Sequence, residues 1–236
     1  MTEVHDSTLE LFRAARAALG QASDLLDTAL DELADEEPQP PTLTLYSQRD
    51  PRWRDLEYTA GWTFGEAGCL VVCVAMVASY FGITDEPPEV ARKLDAAGCF
   101  CDGCLGYPDR IPRAYPSLAW GGVVDWRKVP ADLDRLAREL EDKPVIVEVE
   151  FNPGGAIPPK DQHFVVAEGF TPDGLDLLIA DPRDGAATRL LERYALEHWS
   201  LERAVYGLRL VEDAVLGIGR VLNGMPDDIA EQPYGT

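Results

Sequence analysis

The segment that most constrains the fold is an apolar run from Leu70 to Phe81, bounded by Gly68 and Gly82. Its length and its flanking glycines predict a helix from Cys69 to Phe81 that packs in the core. Cys69 would be the first residue of this helix, where unpaired backbone N–H groups and the positive end of the helix dipole stabilise a thiolate. Cys69 is therefore the first candidate for a reactive residue.

A reactive thiol needs a base, and the chain has three histidines, at positions 5, 163 and 198. Of these, His163 alone begins an apolar, strand-like run, which ends at Phe170. The residues Thr171–Gly174 predict a turn, with Pro at the second position and Gly at the fourth. The segment Leu175–Asp181 would return antiparallel, so His163 and Asp181 are expected at the same edge of a hairpin.

The register of that hairpin decides whether the two side chains share a face. A four-residue loop pairs Phe170 with Leu175 and places Asp181 opposite Phe164. A one-residue bulge or another loop length is needed to bring Asp181 to the face of His163. Pro182 ends the second strand, which leaves the carboxylate at a rim where it can accept a histidine N–H.

Four segments of the chain resemble one family. They are Gln48–Trp53, Thr63–Cys69 continued by Ala75-Met76, His163–Val166, and Asp181-Pro182. The sequence is similar to papain-fold cysteine peptidases related to the double-glycine, bacteriocin-processing peptidases, a branch that includes cell-wall hydrolases and phage-borne domains. The resemblance covers residues 42 to 212 and implies an α+β, papain-like domain with the nucleophile helix packed on an antiparallel sheet.

By that resemblance Cys69 would be the nucleophile, His163 the general base and Asp181 the residue that orients the imidazole. Gln48 would be the side-chain oxyanion donor, and the physical chemistry agrees, since its amide N–H and the backbone N–H of Cys69 can both donate. The residue Cys73, one turn further along the helix, is expected in the core.

Four further residues are predicted to bind substrate. Gly68 and Gln162 precede the nucleophile and the base in sequence, and Trp120 and Trp126 belong to a loop-rich stretch from Cys99 to Val129. Its aromatic residues suit a cleft wall, although they equally suit apolar plugs beneath a long loop. Each candidate also has a structural interpretation, because a single buried Cys or His is more often a core residue than a catalyst.

The composition of the chain, above all its net charge, disfavours several classes of partner. The chain has 236 residues and a net charge of −21, so nucleic acid and anionic membranes would be repelled at long range. We expect no nucleic-acid partner, no membrane span and no signal peptide, because no run is long and apolar enough and the first residues lack a basic, then apolar, pattern. The protein would then be cytoplasmic when made, and either virion-associated or released by lysis.

Three of the five cysteines are close in sequence, at positions 99, 101 and 104. Three thiolates could bind zinc, but structural zinc sites usually have four protein ligands and no partner pair is evident. We therefore expect no metal and no cofactor. A disulfide in a surface loop, or reduced thiols near the substrate cleft, is the favoured interpretation.

The ends of the chain have patterns of their own. Residues 1–37 are predicted to contain one long helix, from 7 to 36, with a capping box at Ser7–Glu10 and apolar residues at heptad spacing. This helix would mediate self-association or docking, or would lie as a single amphipathic helix on the main domain. Residues 38–41 form a Pro-rich linker, 42–213 the peptidase domain and 214–236 a tail.

Within the domain, two groups of elements are predicted from hydrophobic spacing and from helix start and stop signals. The helices are 69–81, 87–97, 130–142 and 190–199. The strands are 42–46, 145–151, 163–170, 175–181, a short strand after 181, and 204–211. In the strand that begins at Val145, valines are expected to face the core while Glu148 and Glu150 lie on the opposite face.

These features lead to three hypotheses. The first is a thiol hydrolase that cleaves a peptide or amide bond, with peptidoglycan peptide as substrate in a phage-type particle. The second is a papain-fold structural or binding module of a larger assembly that keeps the site without turnover. The third is a maturation protease of that assembly, which would use the same residues.

Overall fold

The computed structural model describes residues 41–59, 61–149, 163–194 and 199–214, together with Gln21 and Leu25. The chain divides into two compact units, residues 1–40 and 41–236, and every element below belongs to the second. Apart from Gln21 and Leu25, the predicted helix over 7–36 lies outside the described residues, as do residues 38–40 of the linker, Glu150, Gln162 and the tail after Ala214.

The domain combines short helices with two antiparallel sheets. Its strands are β1 (Glu57–Thr59), β2 (Trp62–Thr63), β3 (Leu118–Asp125), β4 (Val145–Val149), β5 (His163–Phe170), β6 (Leu177–Asp181), β7 (Ala186–Arg189) and β8 (Val205–Asp213). Its α-helices are α1 (Phe64–Ala67), α2 (Cys69–Tyr80), α3 (Pro87–Ala96), α4 (Ile111–Ala114), α5 (Leu133–Leu140), α6 (Leu190–Arg193) and α7 (Leu201–Ala204), and Pro108–Arg110 is a 3₁₀ turn.

The main sheet has six strands in the order β3-β8-β4-β5-β6-β7, and each neighbouring pair is antiparallel. Helix α2 packs against β4 and β5. Its residues Val72–Ala78 are almost completely buried, in one core cluster with Ile146, Phe164 and Val166. The predicted α+β arrangement, with the Cys69 helix on an antiparallel sheet, is confirmed.

The other face of the sheet carries a second core cluster. Val147, Val165 and Ile179 belong to it, each adjacent in sequence to a residue of the first cluster, as the alternation of side chains along a strand requires. Leu136 of α5 and Leu190 of α6 complete this layer. The sheet is therefore covered on both faces, and β4 is buried along its whole length.

The burial of β4 extends to its charged residue. Glu148 was expected on the face opposite the valines, and that face is also covered, because the Glu148 side chain is 2% exposed. Its carboxylate accepts hydrogen bonds from Arg127 and Arg209. Two guanidinium groups balance the buried charge, which a pattern based on hydrophobicity alone does not anticipate.

Two element predictions were wrong. Residues 42–46 form no strand, and the Thr44 N–H donates to the Ser79 hydroxyl instead of to a neighbouring strand. Conversely, β3 lies inside the stretch that was predicted to be loop-rich. Its glycines Gly121 and Gly122 suggested a loop, but they accommodate the side chain of Glu212 and a bulge opposite β8.

Candidate active site

Cys69 is the first residue of α2, as predicted, and it is partly exposed. The preceding Gly68 is buried at the junction with α1, where a Cβ atom would lie 2.6 Å from the Phe64 carbonyl oxygen. Glycine therefore permits the tight join that places Cys69 at the helix start. Cys73, one turn later, is fully buried, and burial raises the pKa of its thiol. The two thiols of this helix thus differ in access to substrate.

A bulge in the β5–β6 hairpin brings His163 and Asp181 to one face. The Gly174 N–H donates to the Thr171 carbonyl in the predicted turn, and Phe170 pairs with Leu177 beyond a longer loop than expected. The register then shifts by one residue between Ala167 and Gly169. Because Val166 consequently pairs with Ala180, Asp181 lies on the same face as His163.

The two side chains are in direct contact. His163 Nε2 lies 2.9 Å from Asp181 Oδ1. Hydrogen bonding and charge from Cys69 also raise the pKa of the imidazole, so the Cys69 sulfur lies near this ring. His163 therefore contacts Asp181 directly, with the Cys69 sulfur at the start of α2 nearby.

Asp181 is completely buried and heavily hydrogen-bonded. Besides His163, it accepts hydrogen bonds from the Arg183 backbone N–H at 2.8 Å, Arg193 Nε at 2.9 Å and the Tyr194 hydroxyl at 2.6 Å. Burial favours the neutral acid, but the hydrogen bond and charge of His163 and the Tyr194 hydrogen bond outweigh it and hold the pKa of Asp181 well below its usual range. The site thus contains a fixed negative charge.

That charge acts on the imidazole. Burial of His163 disfavours its protonated form, but the hydrogen bonds to Asp181 and Cys69, together with the charges of both, raise the pKa of His163 to about 9. The folded chain therefore favours an imidazolium at neutral pH, held between a carboxylate and a sulfur atom. Such an imidazolium can stabilise a thiolate and later donate its proton to a leaving group.

Gln48 joins the nucleophile segment to the strand end that carries Asp181. Its backbone N–H donates to the Pro182 carbonyl at 2.6 Å, and its side-chain Nε2 donates to the Gly65 carbonyl at 3.2 Å. The residue is 6% exposed, and its Oε1 has no hydrogen-bond partner within the described part of the chain. Only one Nε2 hydrogen is used within the described residues, so the amide keeps a second hydrogen that it can donate.

The other predicted substrate-binding residues have different environments. Trp120 is partly buried against the first core cluster, at the bulge of β3. Trp126 is 7% exposed and belongs to the second core cluster, an environment that suits the alternative of an apolar plug. Gly68 lies at the start of α2, and Gln162 falls outside the described residues.

Sequence reasoning missed two residues of the site, Arg193 and Tyr194. They lie at and just after the end of α6, and both contact the buried Asp181 carboxylate. A helix was predicted there, but nothing in the sequence indicated that its end would turn toward Asp181. One chemical argument could have pointed to them: a buried Asp181 carboxylate needs more hydrogen-bond donors than one histidine supplies.

Two other features of the described residues bear on function. They contain no cluster of three or more His, Cys, Asp or Glu side chains that could hold a metal ion. Among their helices, none has the length and apolar character required to cross a membrane.

The comparison with known families agrees with this geometry. No curated protein and no solved structure matches the chain significantly. Residues 42–206, which include Gln48, Cys69, His163 and Asp181, match the model described as the Peptidase_C39 like family. Because the match covers more than half of the chain, the chain belongs to this family of papain-fold cysteine peptidases.

Proposed function

We propose that the protein hydrolyses a peptide or amide bond with Cys69 as nucleophile, His163 as acid and base, and Asp181 as the residue that orients the imidazole. One observation carries the proposal: His163 Nε2 lies 2.9 Å from the buried Asp181 carboxylate, and the Cys69 sulfur is close enough to raise the pKa of the same imidazole. The same contacts favour a protonated imidazole beside the sulfur at neutral pH. The nucleophile is thus activated before substrate binds.

The reaction would proceed through an acyl-enzyme. The Cys69 sulfur attacks the scissile carbonyl carbon, and its oxygen gains the negative charge that the Cys69 backbone N–H and the Gln48 amide can stabilise. The His163 imidazolium then protonates the leaving amine, so the C–N bond breaks and a thioester remains. His163, now neutral, accepts a proton from water, which attacks the thioester and releases the acid and the free thiol.

Within this class we propose the peptide part of bacterial cell walls as substrate, in a phage-type particle. The nucleophile and Gln48 motifs resemble those of phage-borne and cell-wall hydrolase domains, and the predicted helix over 7–36 would dock the domain in such an assembly. The net charge of −21 gives no electrostatic attraction to an anionic wall, so recognition would depend on the peptide itself.

Hydrolysis of purified cell walls by the full-length protein tests this function. We expect wild type and Cys73→Ala, a matched change in the same helix, to release new amino groups, while Cys69→Ala releases none. Because Cys73→Ala leaves a small cavity in the core, rates are compared per folded molecule. Equal release by wild type and Cys69→Ala would overturn the thiol mechanism.

The remaining hypotheses give different results in the same assay. A binding module would retain walls without releasing amino groups. A maturation protease would leave walls intact but trim proteins of its own particle, which mass spectrometry of the termini detects. Either result would overturn the proposal that cell walls are the substrate. Trimming of particle proteins would still support a peptidase, whereas binding without release of amino groups would not.

A further inference from the structure

Two cysteines outside the candidate site face each other across a tight turn. The Cys101 N–H donates to the Cys104 carbonyl and the Cys104 N–H donates to the Cys101 carbonyl, both at 2.9 Å. Between them, Asp102 has a φ of 49° and Gly103 a φ of 80°. Positive φ at both central residues is the conformation of a two-residue type I′ hairpin turn, for which Asp-Gly is a preferred sequence. The turn therefore fixes the two cysteines as a directly opposed pair.

This pairing places the thiols within reach of a disulfide. Residues that exchange both backbone hydrogen bonds have Cα atoms about 5.5 Å apart, inside the range of about 4.4–6.8 Å that disulfides span. Both thiols are exposed, whereas Cys73 and Cys99 are completely buried. Cys101 Sγ also lies 3.6 Å from Asp102 Oδ2, to which it donates. Of the thiols outside the site, only this pair is accessible.

The same turn is attached to the segment that presents Cys69. The Tyr58 hydroxyl lies 3.0 Å from the Ala67 carbonyl oxygen and 3.3 Å from the Gly103 carbonyl oxygen. Gly103 is pressed against Trp62, since a Cβ atom there would lie 2.3 Å from the indole. Burial raises the pKa of the Tyr58 hydroxyl, and the charges of Cys69 and Cys104 raise it further.

We propose that Cys101 and Cys104 are a modification site, a dithiol that a low-molecular-weight disulfide oxidises reversibly to a bond across the turn. One protein thiolate attacks the reagent disulfide and releases one small thiol. The second protein thiol then displaces the other small thiol. Two protein thiols and one reagent disulfide thus become one protein disulfide and two small thiols.

Oxidation would change the surroundings of Cys69 through Tyr58. The Cβ atoms of a cross-strand pair are about 4.5–5.5 Å apart, and a disulfide draws them to about 3.8 Å. Because Gly103 is a central residue of this turn, we expect the contraction to disturb its contact with the Tyr58 hydroxyl, whose other acceptor is the Ala67 carbonyl, two residues before Cys69. The effect on Cys69 rests on the proposed function, whereas the disulfide itself does not.

Oxidation of the full-length protein with oxidised glutathione tests the modification. We expect a Cys101–Cys104 link in non-reducing peptide mapping of the wild-type protein and the loss of two free thiols in Cys69→Ala, both reversed by dithiothreitol. Cys101→Ser should instead keep a glutathione adduct on Cys104, because no second thiol resolves it. A link between Cys104 and Cys69, or no internal link, would overturn the assignment.

The coupling is measured by the rate at which iodoacetamide labels Cys69 in the reduced protein and in oxidised protein that has been separated from any molecules with a glutathione adduct on Cys69. We expect oxidation to slow labelling severalfold in wild type and to leave it unchanged in Tyr58→Phe. Equal rates in both redox states of wild type would overturn the coupling. If Cys69 were no more reactive than Cys101 in the reduced protein while the link still formed on oxidation, the proposed function would fail and the disulfide would stand.

Discussion

Two buried carboxylates in the six-stranded sheet differ in the groups that balance their charge. Glu148 of β4 lies between Arg127 Nε, at 3.1 Å, and Arg209 Nη2, at 2.8 Å. Asp181 of β6 contacts an imidazole, a guanidinium, a phenol and a backbone N–H. Arginine stays charged under all ordinary conditions, whereas histidine gains and loses a proton near neutrality. Only the Asp181 cluster can therefore transfer a proton.

Their neighbours differ as well. His163, the partner of Asp181, also lies near the partly exposed thiol of Cys69 at a helix start. Arg127 and Arg209, the charged partners of Glu148, instead make ion pairs and a backbone contact. A buried, paired carboxylate is by itself a feature of fold stability. It indicates a catalytic site when its partner can titrate and touches a nucleophile. Substitutions at Asp181 and Glu148 should separate a role in catalysis from a role in fold stability.

The largest expected effect is on the rate of hydrolysis by Asp181→Asn. An amide in place of the carboxylate removes the charge that stabilises the imidazolium and permits the wrong orientation of the ring. We expect the rate per folded molecule to fall by about 10³–10⁴-fold, the loss typical of such a change in a catalytic triad. Glu148→Gln is the matched control, and a comparable loss of rate there would contradict the distinction between the two carboxylates.

Glu148→Gln should instead destabilise the fold. The change leaves the buried Arg209 and the more exposed Arg127 without their carboxylate, and breaking a buried ion pair costs about 3–5 kcal/mol. Chemical denaturation monitored by circular dichroism measures the loss. An unfolding free energy equal to that of wild type would show that solvent compensates the charges of the two arginines without Glu148. The claim that Glu148 stabilises the fold would then be wrong.

The pH dependence of stability should separate the clusters further. The pKa of His163 in the folded chain, about 9, lies above the ordinary value of 6.5. Its stabilisation is therefore complete below pH 6.5 and lost as the pH rises through about 9. The stability advantage of wild type over His163→Gln, up to about 3 kcal/mol by this difference in pKa, should shrink across that range. The Glu148→Gln deficit should stay constant there, and parallel curves for both variants would contradict the assignment.

The smallest effect concerns Tyr194, one of several donors to Asp181. Tyr194→Phe removes a 2.6 Å hydrogen bond but leaves His163, Arg193 and the Arg183 N–H in place. We expect a loss of about 1–2 kcal/mol in unfolding free energy, with the hydrolytic rate reduced far less than in Asp181→Asn. If Tyr194→Phe lowered the rate as much as Asp181→Asn, the phenol would have a role in the chemistry itself.

Much of the site could be predicted because its residues begin or end predictable elements. The helix at Cys69 follows from its apolar run, and the meeting of His163 with Asp181 follows from one hairpin. The bulge near Glu168 was needed but could not be located, because a one-residue shift depends on packing against both core clusters. Likewise, β3 and the burial of Glu148 depend on partners far away in sequence.

The most direct measurement is the labelling of each cysteine by iodoacetamide at about pH 6, followed by mass spectrometry under reducing conditions. At this pH an ordinary thiol is almost entirely protonated and reacts slowly. We expect Cys69 to react fastest of the five cysteines. We also expect His163→Ala to slow the labelling of Cys69 to the rate of the exposed Cys101 and Cys104. Equal labelling of Cys69, Cys101 and Cys104 in the wild-type protein would contradict the claim that Cys69 and His163 form a working pair.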